Sequence, residues 1–165
     1  LRVVDPLTEN WEPAQVAVME ALRDWAVGFA ELNQHLSTWM KLPTSDAQAL
    51  GQIIWAAQDG DPLTPARLSR RIGMTSGATT VLLNRLEQAR MLVRSREHTD
   101  RRRVTLRPTE AAQEQARAFM GAAGVEIAAV LRQADTGELG TAIAVLERMN
   151  DAVAQANDRL KHDLA

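Results

Sequence analysis

Apolar residues recur along this chain in two distinct periods, and the order of those periods predicts its elements. Val18, Leu22, Trp25, Phe29, Leu32, Leu36 and Trp39 follow at alternating spacings of four and three. They form one unbroken stripe over about six helical turns. Asn10 can cap this helix, with Pro13 tolerated in its first turn, and Pro43 ends the segment. Ser45 with Gln48 has the form of a capping box for a second helix carrying Leu50, Ile53, Ile54 and Ala57. A turn at Asp59-Gly60-Asp61-Pro62 precedes Thr64-Pro65, where Thr caps and Pro takes the first position of a short third helix. That helix turns Leu68 and Ile72 inward and stops at Gly73, suited to a left-handed cap. A fourth helix starts at Thr75 or Ser76 and runs through Val81, Leu82 and Leu86 toward Ala89. Helix, short glycine turn, helix is the helix-turn-helix order, whose second helix can enter the major groove of DNA.

The period then changes from helical to two. Leu92–Arg96 and Arg102–Arg107 read as strands, with Val104 and Leu106 on one face and Arg103 and Arg107 on the other. A polar tip, Glu97-His98-Thr99-Asp100-Arg101, joins them, so a hairpin wing follows the helix-turn-helix. Two long helices finish the chain. Thr109 caps the first, which carries Phe119, Met120, Ile127 and Leu131; Asp135-Thr136-Gly137 breaks it. The last sets Leu139, Ile143, Leu146, Met149, Val153, Ala156 and Leu160 on one stripe. The fold class expected is mainly α with a small β wing: a winged helix-turn-helix lobe plus a long-helix dimerisation region. The terminal stripes are hard to bury within one slim monomer, so two intertwined chains are the natural solution; an intramolecular helical bundle is the alternative.

Charge sharpens this picture. Eleven of the seventeen arginines lie between Arg67 and Arg107, opposed there only by Glu87, Glu97 and Asp100. That stretch carries about +8 and the rest about −10, a split hidden by the overall −2. A basic block in an acidic body is the footprint of a surface offered to a polyanion, and arginine suits phosphates and guanine edges. A solvated charged face is the plainer alternative. In this arrangement Thr75, Ser76, Thr79 and Thr80 bring short hydroxyls to the groove, and Gly77 permits close backbone approach. Thr75 or Ser76 can equally be the helix cap. Asn84 and Arg85 lie farther along, suited to backbone contact, and Arg85 has the alternative of pairing with Glu87 or an acid on another helix. Arg67, Arg70 and Arg71 on the supporting helix would position the protein on phosphates. At the wing, Arg102 suits a narrow minor groove, Asp100 can orient its guanidinium, and Arg101 and Arg103 flank it. A dimer making roughly 6–8 phosphate contacts should lose on the order of 10³ in affinity between 50 and 200 mM salt.

The run Met74-Thr75-Ser76-Gly77-Ala78-Thr79-Thr80, then Asn84-Arg85-Leu86-Glu87, then Asp100-Arg101-Arg102-Arg103-Val104, resembles the MarR family of winged-helix transcriptional regulators. Asp, a basic residue, Arg, a strand and Thr109-Glu110-Ala111 opening a long helix is the most specific part. The resemblance covers nearly the whole chain. It implies one MarR-like domain over 1–165, with dimerisation helices at 10–40 and 110–162 and a DNA-binding lobe at 45–107. It also implies a homodimer on pseudo-palindromic double-stranded DNA, usually a repressor, and in many members release by a small aromatic or phenolic effector. Such effectors lodge between the dimer helices and the lobe, which directs attention to Trp25, Phe29, His35, Trp39 and Trp55; any of these can instead be simple core or surface. The sequence departs from the family pattern at Arg90, where Gly is frequent, at Val81, where a polar or basic residue is frequent, and at Pro108 and Ala112.

Other classes fare worse. With no Cys there is no disulfide, thiolate metal site or thiol redox switch, and His35, His98 and His162 are scattered. No metal-ligand spacing or phosphate-binding glycine loop occurs, so neither a cofactor nor an enzyme is expected. No apolar run nears the roughly 18 residues of a membrane span, which makes a cytoplasmic protein the default expectation. The rival within the same fold is a winged-helix interaction module that binds no specific DNA.

Overall fold

The computed structural model describes residues 10–96 and 104–163. The elements run α1 (Pro13–Met40), α2 (Thr44–Gln58), α3 (Pro65–Ile72), α4 (Ser76–Gln88), β1 (Leu92–Ser95), β2 (Thr105–Pro108), α5 (Glu110–Ala123), α6 (Val125–Gln133) and α7 (Thr136–Asp163). This is the mainly helical architecture with a two-stranded wing that the periodicity predicts. The chain divides into two compact units, Leu1–Met120 and Gly121–Ala165.

Local chemistry sets most boundaries in the first unit. Thr64 accepts the Arg67 N–H at 3.3 Å, Pro65 opens α3, and Gly73 closes it at φ 67°. Thr75 then caps α4, its hydroxyl oxygen accepting the Ala78 N–H at 3.2 Å. β1 and β2 pair antiparallel with Leu92 opposite Pro108 and Ser95 opposite Thr105. The outer edge of β2 is satisfied as well, because the Leu106 N–H donates to the Leu63 carbonyl oxygen at 2.8 Å. Leu50 and Ile53 of α2, Leu68 of α3, Leu82, Leu83 and Leu86 of α4, Leu92 and Leu106 of the wing and Ala112 of α5 share one buried cluster. It holds α4 between α2, α3 and β1.

Several details differ from the sequence expectation. Helix α1 is entered through Glu12, whose N–H donates to Gln15 Oε1 at 2.9 Å, and not through Asn10. The Ser45–Gln48 capping box does not form: α2 starts at Thr44 behind an extended Pro43, and the Ser45 hydroxyl donates to Asp46 Oδ1 at 3.1 Å. Among the described residues, β1 ends at Ser95 and β2 runs Thr105–Pro108, while Arg102 and Arg103 of the expected second strand lie outside them. The burial of β2 does not alternate, since Thr105, Leu106 and Pro108 are all buried. Flanking by β1 and by the Leu63 backbone covers both of its edges. The penultimate helix is two helices, α5 and α6, parted at Gly124. Gly121 and Gly124 each weaken a helix by about 1 kcal/mol relative to Ala, which makes this stretch the easiest place to break.

In the second unit, Asp135 and Glu138 cap α7 reciprocally: each backbone N–H donates to the other's carboxylate at 2.9 Å. Among the described residues, neither α6 nor α7 contributes a buried one. No helix among the described residues is long and apolar enough to cross a membrane.

Candidate nucleic-acid interface

Helix α4 sorts the sequence candidates by face. Thr79, Leu82, Leu83 and Leu86 point into the core, and the Thr79 hydroxyl donates to the Thr75 carbonyl oxygen at 2.9 Å. Thr79 is therefore a core residue and leaves the set of expected DNA contacts. Its place three and four residues before Leu82 and Leu83 was the signal for this. Ser76, Gly77, Thr80 and Asn84 are exposed, as is Thr75, whose hydroxyl serves as the cap. The Thr80 hydroxyl also turns back, donating to the Ser76 carbonyl oxygen at 2.9 Å. Val81 stands on the exposed side with them.

The arginines divide in the same way. Arg85 Nε and Nη2 form a fork on the fully buried Asp46 carboxylate of α2, at 2.8 and 2.6 Å. Hydrogen bonding to Asp46 raises the Arg85 pKa above its ordinary value, opposed by desolvation and aided by the opposite charge. Of the two roles open to Arg85, pairing with an acid on another helix is the one the structure displays, and the pair ties α4 to α2. Arg67 makes a comparable exposed fork on Asp61, at 2.8 and 2.6 Å, which with the carboxylate's charge raises its pKa too. Arg94 of β1, which no local sequence signal marks, donates from Nη1 to Glu87 at 2.7 Å and from Nη2 to Asn84 Oδ1 at 3.1 Å. It braces the wing against the exposed side of α4.

Arg70 is exposed on α3, and Arg90 and Arg96 are exposed beside the wing. Arg90 adopts φ 56°, the left-handed conformation that explains why glycine suits this turn. Arg71 is exposed on α3 as well, and it lines a cavity of about 460 Å³ in the first unit. The expected wing contacts Arg101, Arg102 and Arg103, with Asp100, lie outside the described residues.

The same cavity settles the geometry of the aromatic candidates. Phe29 and Trp55 line it, with Leu32, Leu36, Met40, Ile54, Ile72, Phe119 and Met120. Asn33, Gln48, Gln52 and Arg71 supply its polar groups. Trp25, His35 and Trp39 are not among its walls. Trp25 stacks on Phe29 at 5.6 Å between ring centres, and Trp39 meets Phe119 edge-on at 5.9 Å, so each touches a residue that lines the cavity. His35 is exposed. No group of three or more His, Asp or Glu among the described residues could hold a metal ion.

Comparison with known proteins agrees with this geometry. A curated relative, the uncharacterised HTH-type transcriptional regulator YcgE of Bacillus subtilis, is 26% identical over 121 residues, 70% of this chain and 79% of that protein. A mutant of MepR from a multidrug-resistant S. aureus clinical isolate aligns with TM-score 0.66 at 18% identity, covering 82% of this chain and 96% of that one. A MarR family protein of Bacillus stearothermophilus aligns with TM-score 0.61 at 19% identity, over 87% and 98% of the two chains. The S. aureus MepR–DNA complex aligns with TM-score 0.52 at 19% identity, over 79% and 96%. Residues 42–103, the helix-turn-helix and wing, match the model of the MarR family. Over this lobe the chain is similar to the MarR family, and its fold is that of the MarR-type winged-helix structures.

Proposed function

We infer that this protein is a DNA-binding transcriptional regulator, a homodimeric repressor of pseudo-palindromic sites released by a small aromatic ligand. The observation that carries the reading is an exposed α4 face on a self-contained lobe whose stretch from Arg67 to Arg107 holds about +8. The MepR relative in complex with DNA, and the regulator YcgE, support the same partner. Ser76, Gly77, Thr80 and Asn84 face the groove in this reading, while Arg70 and the wing residues Arg101, Arg102 and Arg103, oriented by Asp100, grip the backbone. Arg67 and Arg85 act as positioning residues. The role is one of binding, not catalysis.

Dimerisation by 10–40 and 110–162 is supported by the stripes that stay uncovered. Val18, Trp25 and Trp39 of α1 are exposed, as are Ile143, Leu146, Val153 and Leu160 of α7. A second copy would bury them, and two-fold symmetry would set the α4 helices about 34 Å apart.

The cavity supports the ligand. Its apolar walls, three amides and one guanidinium suit a flat aromatic acid. Helix α2 links it to DNA: Ala47, Gln48 and Gly51 line the cavity, and the adjoining Asp46 holds Arg85 of α4. A ligand that favours one position of α2 therefore biases the recognition helix.

Selection of bound duplexes from a random DNA pool tests the reading. Recovery of a palindrome supports it. The absence of any enrichment overturns it in favour of an interaction module that uses the fold without DNA.

A further inference from the structure

From Ser76 to Asn84 the exposed side of α4 is uncharged and rich in methyl groups; exposed Arg85 and Gln88 follow only in its last turn. The exposed members of that first part are Ser76, Gly77, Ala78, Thr80, Val81 and Asn84. None carries the guanidinium or ammonium that reads guanine by a fork in the major groove. The nearest arginine along the helix, Arg85, is engaged by Asp46, and Asn84 Oδ1 already accepts from Arg94. The Thr80 hydroxyl donates its proton to the Ser76 carbonyl oxygen, which leaves its oxygen as an acceptor only and its methyl free for apolar contact. Val81 is 54% exposed at the centre of this face. A β-branched residue on an exposed helix is a poorer helix former than Ala, so helix stability does not account for it. Open space surrounds the position of a Cβ on Gly77, which allows the backbone itself to approach a partner.

We propose that Val81 is a specificity-determining residue that packs against the 5-methyl group of a thymine in each half-site, with Thr80 beside it. The inference rests on the DNA-binding reading above and names how that same face chooses its sequence. Thymine is the base whose major-groove edge offers an apolar group, and an apolar side chain at close approach is the matching surface. The positive charge of the lobe supplies affinity without sequence, leaving this face to supply preference.

The test uses the full-length native protein and duplexes recovered from a random pool. Each recovered duplex is resynthesised with deoxyuridine in place of thymidine, one position at a time, which removes only the methyl. One position per half-site should weaken binding about four-fold, and the symmetric pair about fifteen-fold. Val81→Ala keeps a helix former at an exposed site and so should fold, which circular dichroism checks. It should bind the thymine duplex more weakly and be indifferent to deoxyuridine at that position. Native binding unchanged by deoxyuridine at every position overturns the proposal, as does an undiminished penalty in Val81→Ala. In both cases the DNA-binding reading stands. Failure to recover any duplex overturns that reading and this proposal together.

Discussion

The lobe and the carboxyl-terminal helices use the same apolar periodicity and reach opposite ends. In α4, Leu82, Leu83 and Leu86 are buried, and α2, α3, β1 and β2 close around them. In α7, Ile143, Leu146, Val153 and Leu160 keep the same three-and-four spacing and stay exposed. An amphipathic stripe states that a face is to be covered, not by what. The lobe covers its own stripes because short elements turn back on one another through Gly60, Gly73 and the wing. Helix α7 runs 28 residues without a turn, and only another element of comparable length can match it.

The largest effect should come from charging the uncovered stripe. Ile143→Glu with Val153→Glu should convert a dimer to a monomer in sedimentation while the lobe keeps its helical signal. Losing the second recognition helix should weaken palindrome binding roughly 10²–10⁴-fold. An unchanged dimer mass would mean that the stripe is covered by something other than a second copy.

Inside the lobe the outcome should be reversed. Leu83→Ala should lower unfolding free energy by about 2–5 kcal/mol in urea titration, with α7 contributing nothing to the difference. Asp46→Asn should have a smaller effect on stability, since Arg85 is 46% exposed and can rehydrate. It should nevertheless lower duplex affinity, because α4 loses its tie to α2. Affinity unaffected by this change would remove Arg85 from its positioning role.

These two residues also mark where sequence reading stopped. Thr64-Pro65, Gly73 and Thr75 were legible because caps and left-handed turns depend on residues within four positions of each other. The fork between Asp46 and Arg85 joins residues 39 apart, and nothing local announces which acid an arginine will find. The brace from Arg94 to Glu87 and Asn84 is of the same kind. Thr79 is different: its helical position beside Leu82 and Leu83 marked it as core, and grouping it with Thr75, Ser76 and Thr80 by chemistry obscured this. The cavity was half legible. Trp and Phe at helical spacing drew attention to α1 and α2, but only packing decides that Phe29 and Trp55 line the cavity while Trp25 and Trp39 do not.

Smaller effects sharpen the lobe's side of the comparison. Thr75→Ala should cost about 1 kcal/mol through the lost cap on α4, again by urea titration. Arg90→Gly should stabilise by about 1 kcal/mol, because the left-handed backbone there strains any residue with a Cβ. A destabilised Arg90→Gly protein would show that the Arg90 side chain makes a contact worth more than the strain.

If the basic lobe, doubled by the helical arms, grips duplex DNA, a recovered palindrome titrated at 50 and 200 mM salt should lose affinity on the order of 10³ for roughly 6–8 phosphate contacts. Weak binding that is indifferent to salt would contradict such a grip.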